Sequence, residues 1–237
     1  MLMKNQGDIS VFSPVLIAGS LILLISFAIR STFGLFQIPI AEDFFWMRSE
    51  FSLAIAIQNL AWGIGTPLFS AFAEKYGDRK AITIGLVLYS IGIFISSTAV
   101  TPEAHQLLNI LIGFGIAGSG FGPVLAVVGR ATSDERRSLA LGITTAAGSA
   151  GQVIGPPFAA SLLSFMPWSS VFEIFAIICL ITLILVPILK SQNKITLNKN
   201  DRNLTDALKN AFQDPTYLML FLGFFSCGFQ LAIHYCS

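Results

Sequence analysis

Apolar residues run along this chain in long stretches free of charge, at 9–29, 51–73, 81–102, 104–129, 138–172, 174–189 and 215–237. A helix needs about 20 apolar residues to cross the hydrocarbon core of a bilayer. The pattern predicts seven helical spans, near 11–40, 51–73, 81–100, 107–128, 138–164, 171–189 and 216–235. The first continues through Arg30 to Ile40. Its length exceeds that of a secretory signal, and no cleavage site follows it. Connections at 41–50, 74–80, 101–106, 129–137 and 165–170 are short. A polar stretch at 190–215 is longer and separates a six-span body, 1–189, from the last span in 216–237.

Composition agrees. Hydrophobic residues make up 54% of the 237 residues and charged ones 11%, against about 25% charged in soluble domains. Mean hydropathy is +0.74. So few charges cannot cover the surface of a soluble domain of this size. The expected fold class is all-α, a polytopic membrane helix bundle. A soluble enzyme, a disordered chain and a nucleic-acid binder are excluded. The three cysteines, Cys179, Cys227 and Cys236, form no CxxC pair, so neither a disulfide framework nor a metal site is expected.

The basic residues are sorted by side. With the N-terminus inside, Lys4, Lys75, Arg79, Lys80, Arg130, Arg136, Arg137, Lys190, Lys194, Lys199, Arg202 and Lys209 all fall on inner segments. These are twelve of the 14 Lys and Arg. Arg48 alone lies on an outer connection, and Arg30 lies within a span. The positive-inside rule then predicts a multi-pass protein of the plasma (inner) membrane with a cytoplasmic N-terminus.

Helix ends can be read locally. Ser49 is expected to cap the second span, Ser133 the fifth, and Asp214 with Pro215 the seventh. Leu204, Ala207, Leu208, Ala211 and Phe212 recur at helical spacing, which fits a short amphipathic helix on the inner surface or a solvated linker. The sequon at Asn203 falls on the cytoplasmic side and is discounted.

Residues that a membrane interior tolerates poorly mark the candidate site. An arginine within a span costs about 2.5–3.5 kcal/mol on insertion scales. Arg30 therefore either binds an anion through its guanidinium fork, or sits in a structural pair or snorkels outward. Gln58, Asn59 and Gln152 are further polar groups that need a partner, a neighbouring helix or a solute. Gly118 with Gly122 and Gly151 with Gly155 are small-xxx-small pairs that let helices approach closely. Pro156 follows and bends its helix. Such helices can pack statically or rock against one another. The run 113–118 is formally GxGxxG, but it follows no strand, so no dinucleotide site is expected. The turn at 74–80 orders Glu74, Lys75, Gly77, Arg79 and Lys80 so that ion pairs could latch neighbouring helices in one conformation. His105 and His234 stand in no catalytic setting, and no enzyme is expected.

This turn resembles the signature of the major facilitator superfamily between the second and third spans, G-x-x-x-D-R-x-G-x-R-[RK]. Ser70, Glu74 and Lys75 replace its glycine, aspartate and arginine; Gly77, Arg79 and Lys80 match. Gly151, Gly155 and Pro156 resemble the superfamily's fifth-span Gly-x-x-x-Gly-Pro, without its trailing glycines. Asn109 stands where many proton antiporters carry a fourth-span arginine, which argues against a drug/proton antiporter. Stretches at 30–36 (RSTFGLF), 58–63 (QNLAWG), 76–80 (YGDRK), 136–142 (RRSLALG) and 225–230 (FSCGFQ) look most like oxalate–formate antiporters and monocarboxylate transporters.

The resemblance implies two six-helix halves, each of inverted three-helix repeats, around a midplane site. This chain is expected to supply the first half and the opening of the second, about half the family's usual length. The basic residues that hold oxalate in such antiporters are expected in the other half. Secondary transport of small mono- or dicarboxylates by alternating access follows, with Arg30, Gln58, Asn59 and Gln152 at the substrate and 74–80 as an inner latch. No cofactor is implied. Expected partners are the organic anion, the lipid bilayer and a second half-transporter or homodimer. The competing expectation is a truncated, non-transporting half that serves as a membrane subunit.

Overall fold

The computed structural model describes residues 13–189 and, beyond them, only Gln213, Pro215, Leu218, Met219 and Leu222, each helical. The linker, its amphipathic stretch, the Asp214 cap and most of the seventh span lie outside the described residues. The chain divides into two units, 1–193 and 194–237, and the following concerns the first.

No strand occurs among the described residues. Helix α1, Pro14–Thr32, passes through a 3-10 turn, Phe33–Phe36, into α2, Gln37–Phe44; together these form the first span. Helix α3, Arg48–Tyr76, is the second span and α4, Asp78–Ser96, the third. The fourth is α5, Pro102–Ser119, followed by α6, Phe121–Ala131. Helix α7, Asp134–Leu163, is the fifth; α8, Trp168–Thr182, with a 3-10 extension, Leu183–Ile188, is the sixth. The spans stand where the apolar runs place them, usually a turn longer at one or both ends.

Local sequence sets several ends. Ser13 and Thr101 accept backbone N–H bonds from Leu16 and Ala104, and a proline follows each. That is a capping side chain followed by a residue with no N–H to lose. Ser133 is the N-cap of α7, as expected, though its side chain makes no capping bond. Ser49 is not a cap: α3 begins at Arg48 after Met47. Pro67, Pro156 and Pro157 lie inside continuous helices.

Four of the six segments are apolar and long enough to cross a membrane by length and hydropathy: Pro14–Phe44, Asp78–Ser96, Pro102–Ala131 and Trp168–Ile188. Helices α3 and α7 are 29 and 30 residues long. Glycine, serine, threonine and glutamine dilute them, as suits helices that pack through small residues.

The main packing pairs are α1 with α7, α3 with α5, α4 with α5 and α4 with α8. Exchanging spans one to three with spans four to six maps the first pair onto the second. Glycine permits both contacts. A Cβ at Gly151 would lie 2.1 Å from the Leu24 carbonyl oxygen, and one at Gly155 2.2 Å from that of Ala28. Between α3 and α5, a Cβ at Gly113 would lie 2.4 Å from the Gln58 carbonyl oxygen, and between α4 and α5 one at Gly118 would fall 2.7 Å from the Gly85 Cα. Gly122 makes room for Ser70, whose Oγ lies 2.9 Å from where its Cβ would be. These are contacts of backbone on backbone or of small side chains, and any larger residue would force the helices apart.

Candidate functional site

Arg30 lies in the last turn of α1, half-buried, just before the 3-10 turn. Its Nη2 donates to Asn59 Oδ1 at 2.8 Å, and its guanidinium carbon stands 4.4 Å from the centroid of the Trp62 ring. Asn59 Nδ2 in turn donates to the Ile55 carbonyl at 3.0 Å, which fixes the amide orientation. Asn59 and Trp62 are three residues apart on α3, so they share a face. Both of these contacts are made from one face of α3 and hold the guanidinium in place.

The remaining predicted residues separate. Gln58 is one position from Asn59 but about 100° around the helix. It is buried and donates to Asn109 Oδ1 at 3.0 Å, while Asn109 donates to the His105 carbonyl at 2.8 Å. Gln58 therefore joins α3 to α5 and stands apart from the Arg30 group. Gln152 is half-buried on α7 beside Gly151. Pro156 has no N–H, so it cannot supply the helical bond to the Gln152 carbonyl. A separate crevice of about 140 Å³ between α1, α7 and α8 has apolar walls, including Leu24, Ala28, Phe158 and Phe175. Arg30 is not among its lining residues.

Two residues outside the predicted set complete the picture. The first is Trp62, whose place on the Asn59 face was readable from spacing alone. Phe27 packs edge-on against it at 5.9 Å and also meets Phe121 at 4.4 Å. Phe121 opens α6 directly after the break at Gly120, an extended residue with φ −91° and ψ −159°.

The second is Asp78. In the turn at 74–80, Gly77 has φ +100°, a conformation that favours glycine, and lets α3 turn directly into α4. Glu74 and Lys80 are exposed, and Lys75 lies over the Tyr76 ring at 5.1 Å. The carboxylate that reaches a neighbouring span is that of the buried Asp78, which pairs with Arg130 at the end of α6. Arg79 donates through Nε to the Leu189 carbonyl at 2.6 Å and through a terminal nitrogen to that of Pro187 at 3.0 Å. A cation thus satisfies carbonyls left open where the sixth span ends. One turn therefore ties the third span to the ends of the fourth and sixth. At the opposite end of the bundle, Trp168 Nε1 donates to Asp43 Oδ2 at 2.6 Å, joining the first and sixth spans.

An all-α bundle of long apolar helices, packed through glycine and holding an arginine within a span, defines a polytopic membrane protein. Residues 19–235 match the family model of the Major Facilitator Superfamily, and the chain belongs to that family. Its members are transporters, not enzymes. The chain is 27% identical over 220 residues to an uncharacterized MFS-type transporter, YcxA, of Bacillus subtilis (strain 168), covering 86% of this chain and 51% of that one. It is 32% identical over 133 residues to monocarboxylate transporter 11 of Mus musculus, covering 54% of this chain and 27% of that one. The structure matches an inward-facing, unoccupied bacterial homolog of the human lysosomal transporter Spinster. The TM-score is 0.67 at 18% identity, covering 92% of this chain and 52% of that one. The chain spans about half the length of the first of these curated relatives.

Proposed function

We propose that this chain takes part in secondary transport of small organic anions, mono- or dicarboxylates, by alternating access, with the Gly77 end of the bundle on the cytoplasmic side. The observation that carries the reading is the Arg30 guanidinium, held within the first apolar segment by the Asn59 amide and the Trp62 face. A planar cation held this way matches a carboxylate. The similarity to a protein named a monocarboxylate transporter supports the same substrate class. Asn59 and Gln152 serve as polar neighbours of the anion, and Gln58 as the buried brace behind Asn59. The turn at 74–80 acts as a latch on the cytoplasmic side, with Asp78 and Arg79 making its ties.

Exposed apolar rows on α3 (Leu60, Ile64, Leu68) and α7 (Val153, Ile154, Phe158) offer a surface for a second six-helix body, from a second half or another copy. The test is oxalate and lactate exchange in proteoliposomes holding the chain with the partner that completes it. Arg30→Gln should lower exchange at least about tenfold, the scale of losing a charge-assisted hydrogen bond, while protein level holds. Exchange equal to wild type would remove Arg30 from the mechanism. No exchange under any condition would favour the membrane-subunit reading.

A further inference from the structure

We infer that Trp62 is the positioning residue for Arg30 and couples the arginine's orientation to the break in the fourth span, an inference that rests on the anion-binding reading above. A guanidinium has a planar edge of five N–H donors and two faces. A carboxylate is recognised along the edge, so a protein that orients the edge by hydrogen bonds also uses up its donors. The indole ring offers its π face instead: the guanidinium carbon stands over it, 4.4 Å from the ring centroid. Attraction of the charge to that face holds the group without a hydrogen-bond acceptor. Asn59 holds one terminal nitrogen from the same side of α3. Ring and amide together tie the position of the group to α3.

Trp62 is itself held by residues that report on the fourth span. Its Nε1 lies 3.8 Å from where a Cβ on Gly120 would stand. Its ring meets Phe27, and Phe27 meets Phe121, the first residue of α6. The packed series Arg30, Trp62, Phe27, Phe121 therefore ends on the residue where span four resumes its helix. A change of bend at Gly120 moves the ring on which the guanidinium lies. In the transport cycle this presents or withdraws the anion-recognising edge as the bundle rocks.

The test uses the full chain purified in detergent, with Trp62→Leu, Trp62→Phe, Arg30→Gln and the double variant Arg30→Gln/Trp62→Phe. Subtracting the emission of Trp62→Phe from that of wild type isolates Trp62 from Trp46 and Trp168. The same subtraction in the Arg30→Gln background should give a different Trp62 spectrum. An identical spectrum means that the ring does not feel the guanidinium, and it overturns the proposal whether or not any anion binds. The second measurement is equilibrium binding of labelled lactate. Trp62→Leu should weaken binding about tenfold, and Trp62→Phe, which keeps a π face, by no more than about threefold, both with unchanged helical content by circular dichroism. Wild-type binding by Trp62→Leu, or equal loss in both variants, overturns the positioning role. A wild-type chain that binds no lactate contradicts the anion reading itself, and the emission comparison then decides the role of Trp62 alone.

Discussion

Gly151 and Gly155 show how much of this bundle is decided by single atoms. Each places its Cα against a backbone carbonyl of α1, where a methyl group would stand 2.1 or 2.2 Å from oxygen. Gly142, on the same helix, has nothing within 4 Å of its missing Cβ. Gly155→Ala should therefore destabilise the chain by about 1–3 kcal/mol through overpacking. Gly142→Ala should be neutral or stabilising by up to about 1 kcal/mol, from helix propensity. Thermal unfolding in detergent checks both, and equal midpoints for the two variants would contradict the close α1–α7 contact. The glycine spacing and Arg30 were both legible in the sequence, because small residues four apart and a charge within an apolar run stand out against their surroundings. Spacing put Trp62 on the Asn59 face but did not show its contact with Arg30, since one aromatic in an apolar span looks like ordinary packing. Only the fold shows that its face lies under a guanidinium.

At the level of elements, hydropathy placed the six described segments but not their interruptions. The 3-10 turn at Phe33–Phe36 and the break at Gly120 leave no charge or polar run behind them, so a count of apolar residues passes over both. The turn at 74–80 was legible as a charged turn, and Gly77 as the residue that permits it. The pairing within it was not, because Glu74 occupies the signature's acidic position while Asp78, the first residue of α4, is the acid facing Arg130.

That pair makes an asymmetric prediction. Asp78 is 5% exposed and Arg130 22%. Arg130→Gln leaves a buried carboxylate without its cation, whereas Asp78→Asn leaves a cation that reaches water. Removing one partner of a buried pair costs about 3–5 kcal/mol, and partial exposure of the arginine reduces that cost. Arg130→Gln should therefore lower the unfolding midpoint more than Asp78→Asn does. The reverse order would show that the pair is not buried as described. Cysteine labelling of the same variants reads the latch: both should shift accessibility between the two sides. Labelling unchanged in these and in Glu74→Gln would leave the turn a static brace.

The whole molecule follows from few charges and their sidedness. A chain with 11% charged residues folds as stacked apolar helices, and it belongs to the Major Facilitator Superfamily over residues 19–235. The six described spans and the family were legible because hydropathy and the 74–80 signature act over long stretches. The Arg30, Asn59 and Trp62 arrangement was not, because it depends on which side chains from α1 and α3 meet across the bundle. The proposed function depends most on a threading with the Gly77 turn in the cytosol and Arg30 in the membrane interior. The direct measurement is an epitope inserted after Gly77, probed with antibody on intact and then permeabilised cells. The account predicts labelling only after permeabilisation. Labelling of intact cells from the outside would contradict it.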